Sequence, residues 1–205
     1  VWNPQFDVRL NGTAFGGGFS TFVRWQDFLL EEFARRQDLA FVIRPHPLFF
    51  GTMEDRGILT GAQVQAWLGR CAVAGNIQID RRPSYLPAFA AADAMLSDAS
   101  SFLLEFAGTG KPLCYLHNPH GPSLNDDGAF VREHCAVAET EAEIRRFLDA
   151  VAAGHDPQRV TRMTAYRDFM HRPPEGSGVA VKAAIEARLA AEAAPGLPAE
   201  RPVAP

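Results

Sequence analysis

Short apolar runs alternate along the chain with longer segments in which apolar residues recur every three or four positions. The short runs are rich in strand-forming residues, and the longer segments have the spacing of one buried helical face. This alternation is typical of βαβ units, so we predict a Rossmann-like, doubly wound α/β fold built on a parallel sheet. The predicted strands are Val1–Asn3, Ala40–Arg44, Asn76–Asp80, Ala94–Ser97, Pro112–Leu116 and Ala136–Ala138.

Nearly every predicted strand is followed by a segment with helical spacing. In the first of these segments an apolar stripe lies behind Ser20, which predicts a helix that this serine caps and that covers one face of the sheet. The stripe consists of Phe22, Trp25, Leu29 and Phe33. The other predicted helices are Gly61–Ala72, Ser84–Ala91, Ser100–Ala107, Glu141–Ala152, Pro157–Phe169 and Gly178–Glu192.

The composition is that of a globular protein with a substantial core. Of the 205 residues 47% are hydrophobic, and the formal net charge is -4. The chain contains no dense block of Lys and Arg, which argues against binding to nucleic acid or to an anionic membrane surface. The 3 cysteines lie far apart and form no C-x-x-C pair, so we expect reduced thiols and no metal site.

The apolar and helical pattern predicts one domain over residues 1–192. Residues 193–205 are rich in Pro and Ala and have no periodic apolar face, which predicts a disordered tail or linker. We expect no transmembrane segment and a cytoplasmic location, with any attachment to the inner face of the plasma membrane made by regions outside this sequence. Because the chain begins at Val1 directly in a predicted strand, we expect a piece of a longer protein.

Candidate chemistry begins where predicted strands end, because ligands of open α/β sheets bind outside the carboxyl ends of the strands. In the stretch FVIRPHP the predicted strand ends at Arg44. The two prolines that flank His46 then restrict the backbone of this segment to an extended conformation. A histidine at this position can donate to a phosphate oxygen or act as an acid or base near neutral pH. The alternative is a loop histidine satisfied by backbone groups.

A second candidate lies in the stretch SDASSFLLEF. Asp98 follows a predicted strand, and Ser100 and Ser101 stand at the expected start of a helix, where free N–H groups and the helix dipole favour an anion. Glu105 follows one turn later on the same helix face, where its carboxylate could accept hydrogen bonds from ribose hydroxyls. The spacing therefore suits a nucleotide. The alternative is a capping Ser100 with Glu105 as a solvated surface charge.

Two glycine-containing stretches are weaker candidates. Residues 16–18 are consecutive glycines before the first helix, which favours a flexible loop and carries neither of the usual phosphate-binding glycine patterns. Ser177 follows Gly176 just before the last predicted helix, and its hydroxyl could contact an anion or merely cap that helix.

Taken together, FVIRPHP, the run SDASSFLLEF and the stretch EGSGVAVKAAI resemble the C-terminal half of the CDP-glycerol glycerophosphotransferase family, which makes teichoic acids and related capsule polymers. The resemblance implies one half of a GT-B architecture, with the acceptor-binding N-terminal half outside this sequence. It implies His46 as the residue important for activity and Glu105 as the ribose ligand. The residues that it implies for binding the donor and its phosphates are Arg44, Asp98, Ser100, Ser101 and Ser177.

The resemblance implies an enzyme that moves glycerol phosphate, or a related polyol phosphate, from a CDP-activated donor to a polymer or lipid-linked acceptor. The nucleotide donor is then a substrate, and no further cofactor or metal is expected. Two alternatives stay open: a GT-B glycosyltransferase or epimerase half that uses a UDP- or CMP-sugar, and a noncatalytic module of a capsule-assembly protein. The residues Gln5, Phe6 and Ala99 favour the last alternative, because relatives often carry a histidine and an aromatic residue at these places.

Overall fold

A computed structural model describes residues 1–13, 16–170 and 172–193 of the chain. Within these residues, 6 parallel strands form one sheet in the order β3-β2-β1-β4-β5-β6. The strands are β1 (Trp2–Asn3), β2 (Phe41–Ile43), β3 (Ile77–Ile79), β4 (Met95–Ser97), β5 (Leu113–Leu116) and β6 (Ala136–Ala138). The predicted fold class is therefore confirmed: the chain has a Rossmann-like, doubly wound α/β architecture.

The helices alternate with the strands as the apolar pattern predicts. Two of them begin with a capping box, in which Thr60 pairs with Gln63 and Thr140 with Glu143. The helices are α1 (Phe22–Arg35), α2 (Phe49–Asp55), α3 (Gly61–Val73), α4 (Leu86–Ala91), α5 (Ser101–Ala107), α6 (Asp126–Glu133), α7 (Glu141–Ala152), α8 (Arg159–Phe169) and α9 (Ser177–Ala193). The sequence analysis did not predict α2 and α6, which are short, contain an interior glycine and lack a long apolar stripe.

Both faces of the sheet carry apolar side chains, as a sheet covered on both sides requires. Trp2 pairs with Ile43 and with Leu96, and these three residues belong to the main apolar core together with residues of α1, α3 and α7. The alternate residues Met95 and Leu113 are also buried, on the other face, where α5 packs on β4 and β5.

The order of the strands reverses between β1 and β4. From β1 the chain proceeds to β2 and β3 on one side, and it returns to β4, β5 and β6 on the other. The helices after β1 and β4 therefore lie on opposite faces, which opens a crevice outside the carboxyl ends of these two strands. We call the side of the sheet on which all strands end the carboxyl edge.

The chain divides into two compact units, residues 1–166 and residues 167–205. The first unit contains the whole sheet, and the second contains the end of α8 and helix α9. Residues 194–205, which make up nearly all of the predicted tail, lie outside the described residues. Among the described helices, none combines the length and the apolar character needed to cross a membrane.

Candidate functional site

A cavity of about 500 Å³ opens beside the carboxyl end of β4. Its walls come from the loop after β4, from α5, from the loop before α6 and from α6 itself, and Phe19 of the β1–α1 loop closes one side. The polar residues among its lining are Ser100, Ser101, Glu105, Ser123, Asn125 and Asp127. The cavity therefore lies next to the crevice where the strand order reverses, the place where doubly wound sheets bind ligands.

Ser100 and Ser101 both line this cavity. Ser100 is the residue before α5 and has an extended backbone, but its hydroxyl does not accept a capping hydrogen bond from the helix. Among the residues that the structure describes, the hydroxyl of Ser100 contacts the hydroxyl of Ser97, 3.5 Å away. Ser101 is the first helical residue and is exposed. The structure therefore does not show the simple capping role considered for Ser100. The hydroxyls of Ser100 and Ser101 can both face a ligand.

Glu105 lies one helical turn further on and lines the same cavity. The hydroxyl of Tyr85, the residue before α4, donates a hydrogen bond to Oε2 of Glu105. The ring of Tyr85 is itself held by Phe89 and Phe102, at centroid distances of 4.9 and 4.6 Å. Tyr85 thus fixes one carboxylate oxygen and leaves Oε1 of Glu105 with its acceptor capacity for a ligand. The same hydrogen bond raises the pKa of Tyr85.

The charges around the cavity are acidic. Glu105 and Asp127 face it from α5 and α6, and the described lining includes no Lys, Arg or His. The Oδ1 atom of Asn125 accepts a hydrogen bond from the amide of Gly128 at 3.0 Å, which leaves its amide NH₂ group as a donor. Carboxylates in a cavity accept hydrogen bonds from hydroxyl groups and repel phosphates. The two carboxylates therefore suit a neutral, hydroxyl-bearing group, whereas an anion fits better beside the hydroxyls of Ser100 and Ser101.

Asp98 does not reach this cavity, because its carboxylate is fully buried beneath the loop between β1 and α1. It accepts hydrogen bonds from the amide of Gln5 at 2.8 Å, from the hydroxyl of Ser20 at 3.2 Å and from the hydroxyl of Thr21. Burial raises the pKa of Asp98 to about 6, although these donors oppose the shift. The predicted phosphate contact of Asp98 is thus replaced by a structural role: the carboxylate ties β4 to the start of α1.

Arg44 is also occupied by protein groups. Its guanidinium donates to Oδ2 of Asp80 at 2.8 Å and to the carbonyl of Arg82 at 2.9 Å, and both Arg44 and Asp80 are buried. Hydrogen bonds from Arg82, and then from Arg44, lower the pKa of Asp80 to about 2, so the carboxylate of Asp80 is ionised at neutral pH. Arg44 therefore stabilises the ends of β2 and β3, and this correction removes it from the predicted donor-binding set.

His46 stands at the carboxyl edge beyond β2, half-buried against the loop that follows β1. Its ring lies 4.4 Å from the ring of Phe6, and its amide donates to the carbonyl of Pro4 at 3.5 Å. Two strand spacings, about 10 Å, separate β2 from β4. His46 does not line the cavity, but it lies along the same edge as the two serines.

The glycine stretch is held in place, contrary to the flexible loop that the sequence favours. The side-chain amide of Asn118, from the loop after β5, donates to the carbonyls of Gly16 and Gly18 at 3.0 and 2.7 Å. A Cβ atom on Gly18 would overlap the backbone carbonyl of Asp7, so the glycine permits a close approach of two backbone segments. Sequence analysis missed Asn118, and no local motif marks its partners about 100 residues away.

Ser177, the last member of the predicted set, is the first residue of α9 and is exposed in the second unit. The cavity belongs to the first unit. The predicted contact of Ser177 with a donor phosphate stays a prediction.

The structure thus defines the class of protein as a Rossmann-like α/β domain with a cavity beside the point where the strand order reverses. A scan against protein-family models found no match, and searches of curated proteins and of solved structures found none either. The assignment of a function therefore depends on the fold and on the chemistry of the site.

Proposed function

We propose that this chain is the donor-nucleotide-binding domain of a GT-B transferase that moves glycerol phosphate, or a related polyol phosphate, from a CDP-activated donor to a growing cell-surface polymer. One observation carries the proposal: Ser100, Ser101 and Glu105 line a single cavity beside the point where the strand order of a Rossmann-like sheet reverses. The family resemblance of the sequence supports the choice of cytidine and of glycerol phosphate. The proposed location of the protein is the cytoplasmic side of the membrane.

In this proposal the nucleoside lies against Glu105, and the phosphates lie against Ser100 and Ser101. Glu105 accepts hydrogen bonds from ribose hydroxyls through Oε1, since Tyr85 already occupies Oε2. Ser100 and Ser101 donate hydrogen bonds from their hydroxyls to the phosphate oxygens. The lining thus offers a carboxylate that accepts hydrogen bonds from the ribose and hydroxyls that donate hydrogen bonds to the phosphates.

The proposed reaction is an in-line displacement at the β-phosphorus of the donor. An acceptor hydroxyl forms a new P–O bond, the bond to the bridging oxygen breaks, and CMP leaves. The acceptor and the base that takes its proton belong to the N-terminal half of the proposed GT-B enzyme. The 205 residues alone are therefore expected to bind the donor without turning it over efficiently.

Calorimetric titration with CDP-glycerol, CMP, CDP, UDP and GDP tests the proposal. We expect cytidine-selective binding, which falls at least about tenfold in the double variant Ser100→Ala/Ser101→Ala, because two hydroxyl donors of about 1 kcal/mol each are removed. The matched control is Ser84→Ala, which changes an exposed serine outside the cavity and should bind like the unchanged chain.

Two results of the same titration contradict the proposal. Selectivity for UDP would redirect the assignment to a glycosyltransferase or epimerase half, because the base sets the donor class. Absence of binding to every nucleotide by a folded chain would reject a preformed donor site in this domain and favour a noncatalytic module.

A further inference from the structure

A second cavity, of about 480 Å³, shares Glu105 with the first one. It opens between α4 and the end of α5, and its walls include Tyr85, Leu86, Phe89 and Thr109. Phe89 is buried, whereas the side chain of Leu86, a large apolar residue, is 63% exposed. The second cavity therefore offers apolar surface to a ligand.

One cation belongs to the described lining of the second cavity. The Nζ atom of Lys111 donates to the carbonyl of Phe89 at 3.1 Å and to the carbonyl of Ala90 at 2.8 Å, near the end of α4. An ammonium group carries three N–H bonds, so these two contacts hold it in place and leave one donor. A planar group with an apolar face and a hydrogen-bond acceptor at its rim fits this combination.

Three residues connect the two cavities at regular intervals. Ser101 lines the first cavity, Glu105 lines both, and Thr109 lines the second. The turn after α5 continues the helical spacing, because the amide of Thr109 donates to the carbonyl of Phe106 at 2.9 Å. Residues four positions apart lie on one face of a helix and about 6 Å apart along its axis. This spacing is close to that of phosphate, ribose and base in a nucleotide.

We propose that the second cavity is the subsite for the base of the nucleotide, with the base against Leu86 and the ring of Tyr85. The inference rests on the proposed function, since it needs the phosphates at Ser101 and the ribose at Glu105. The hydroxyl of Tyr85 already contacts Glu105, so a base beside that ribose meets the Tyr85 ring. Lys111 donates its remaining hydrogen bond to the carbonyl oxygen of a pyrimidine. The first cavity is left to the phosphates and to the hydroxyl-bearing group that they carry.

NMR titration of the uniformly ¹⁵N-labelled chain locates the base. The chain is titrated with CMP and, separately, with ribose 5-phosphate, which has the same ribose and phosphate but no base. We expect amide shifts that CMP alone causes at residues 85–90 and 109–111, around the second cavity. Base-dependent shifts confined to residues 123–131 would overturn the inference, because the base would then lie in the first cavity.

The variant Leu86→Ala measures the contribution of the apolar wall. By calorimetry we expect about fivefold weaker binding of CMP and unchanged binding of ribose 5-phosphate, because the lost contact is made by the base. Leu189→Ala is the matched control, since Leu189 is 59% exposed on α9 and lines neither cavity. Equal affinity of Leu86→Ala and the unchanged chain for CMP would also overturn the inference.

The base subsite and the proposed function fail in distinguishable ways. If CMP shifts amides of residues 99–105 but none around the second cavity, the base subsite is wrong and the donor site at the first cavity stands. If CMP shifts neither group of amides in a folded chain, the proposed function fails, and the base subsite fails with it.

Discussion

Replacement of Asp98 by alanine is expected to lower the free energy of unfolding by about 3 kcal/mol at pH 7. The carboxylate is fully buried and accepts hydrogen bonds from Gln5, Ser20 and Thr21. Its removal leaves these three donors without an acceptor where water does not reach them, at a cost of about 1–3 kcal/mol each. The ionised carboxylate carries a desolvation cost of its own, which offsets part of the loss. Urea denaturation followed by circular dichroism measures the change.

The same carboxyl makes stability depend on pH in a defined direction. Its pKa is about 6 in the folded chain, against an ordinary value of 3.8. Below about pH 4 both states carry the proton and the stabilising contribution is complete. Between about pH 4 and 6 only the folded state keeps the proton, so the contribution falls as pH rises, by about 3 kcal/mol in total.

The pH effect is isolated by comparing the unchanged chain with Asp98→Asn, which cannot titrate at this position. The difference in unfolding free energy between the two should fall from pH 4 to pH 6 and then stay constant. The exposed Asp55 provides the control: Asp55→Ala and Asp55→Asn should change stability by less than about 0.5 kcal/mol. A stable Asp98→Ala chain, or a difference that rises with pH, would contradict the structural role of Asp98.

The second large effect is expected at Arg44. Arg44→Met should lower the free energy of unfolding by about 3 kcal/mol, because it leaves Asp80 buried with one arginine partner and removes the donor to the carbonyl of Arg82. Nucleotide affinity of the folded fraction should stay unchanged, since the guanidinium is engaged by protein groups. Chemical denaturation and calorimetry of the same sample separate the two effects.

A matched control for this prediction is Arg159→Met, which changes an exposed arginine at the start of α8. It should leave stability within about 0.5 kcal/mol of the unchanged chain. Unaltered stability of Arg44→Met together with a loss of nucleotide binding would restore Arg44 to the phosphate-binding set and refute the ion pair as its main role.

The parts of the fold that local patterns encode could be predicted from the sequence. The β6 strand and the α7 helix have the predicted bounds, and the other predicted elements differ by one or two residues at their ends, where helices and strands fray. The grouping of Ser100, Ser101 and Glu105 follows from their positions on one helical turn. Because the spacing of residues on a helix is fixed, neighbours of this kind can be placed together without knowledge of the tertiary structure.

The hydrogen-bond partners of Asp98, Arg44 and Glu105 could not be predicted, because they are distant in sequence from these residues. Thr21 meets Asp98 across 77 positions, and Asp80 meets Arg44 across 36. Such pairs depend on which strands become neighbours in the sheet. The apolar periodicity of the sequence does not encode the order of the strands. A charged residue after a strand therefore marks the carboxyl edge reliably, but the sequence does not tell whether its side chain meets a ligand or another part of the protein.

The most direct test of the central claim is a titration of the uniformly ¹⁵N-labelled chain with CDP-glycerol, followed through backbone amide shifts. The account predicts saturable changes centred on residues 99–105 and 123–131, the two walls of the cavity. Amides of the second unit, such as those of α9, serve as a reference for non-specific effects. Changes centred elsewhere on the sheet, or none at saturating ligand in a folded sample, would contradict a donor-nucleotide site at this cavity.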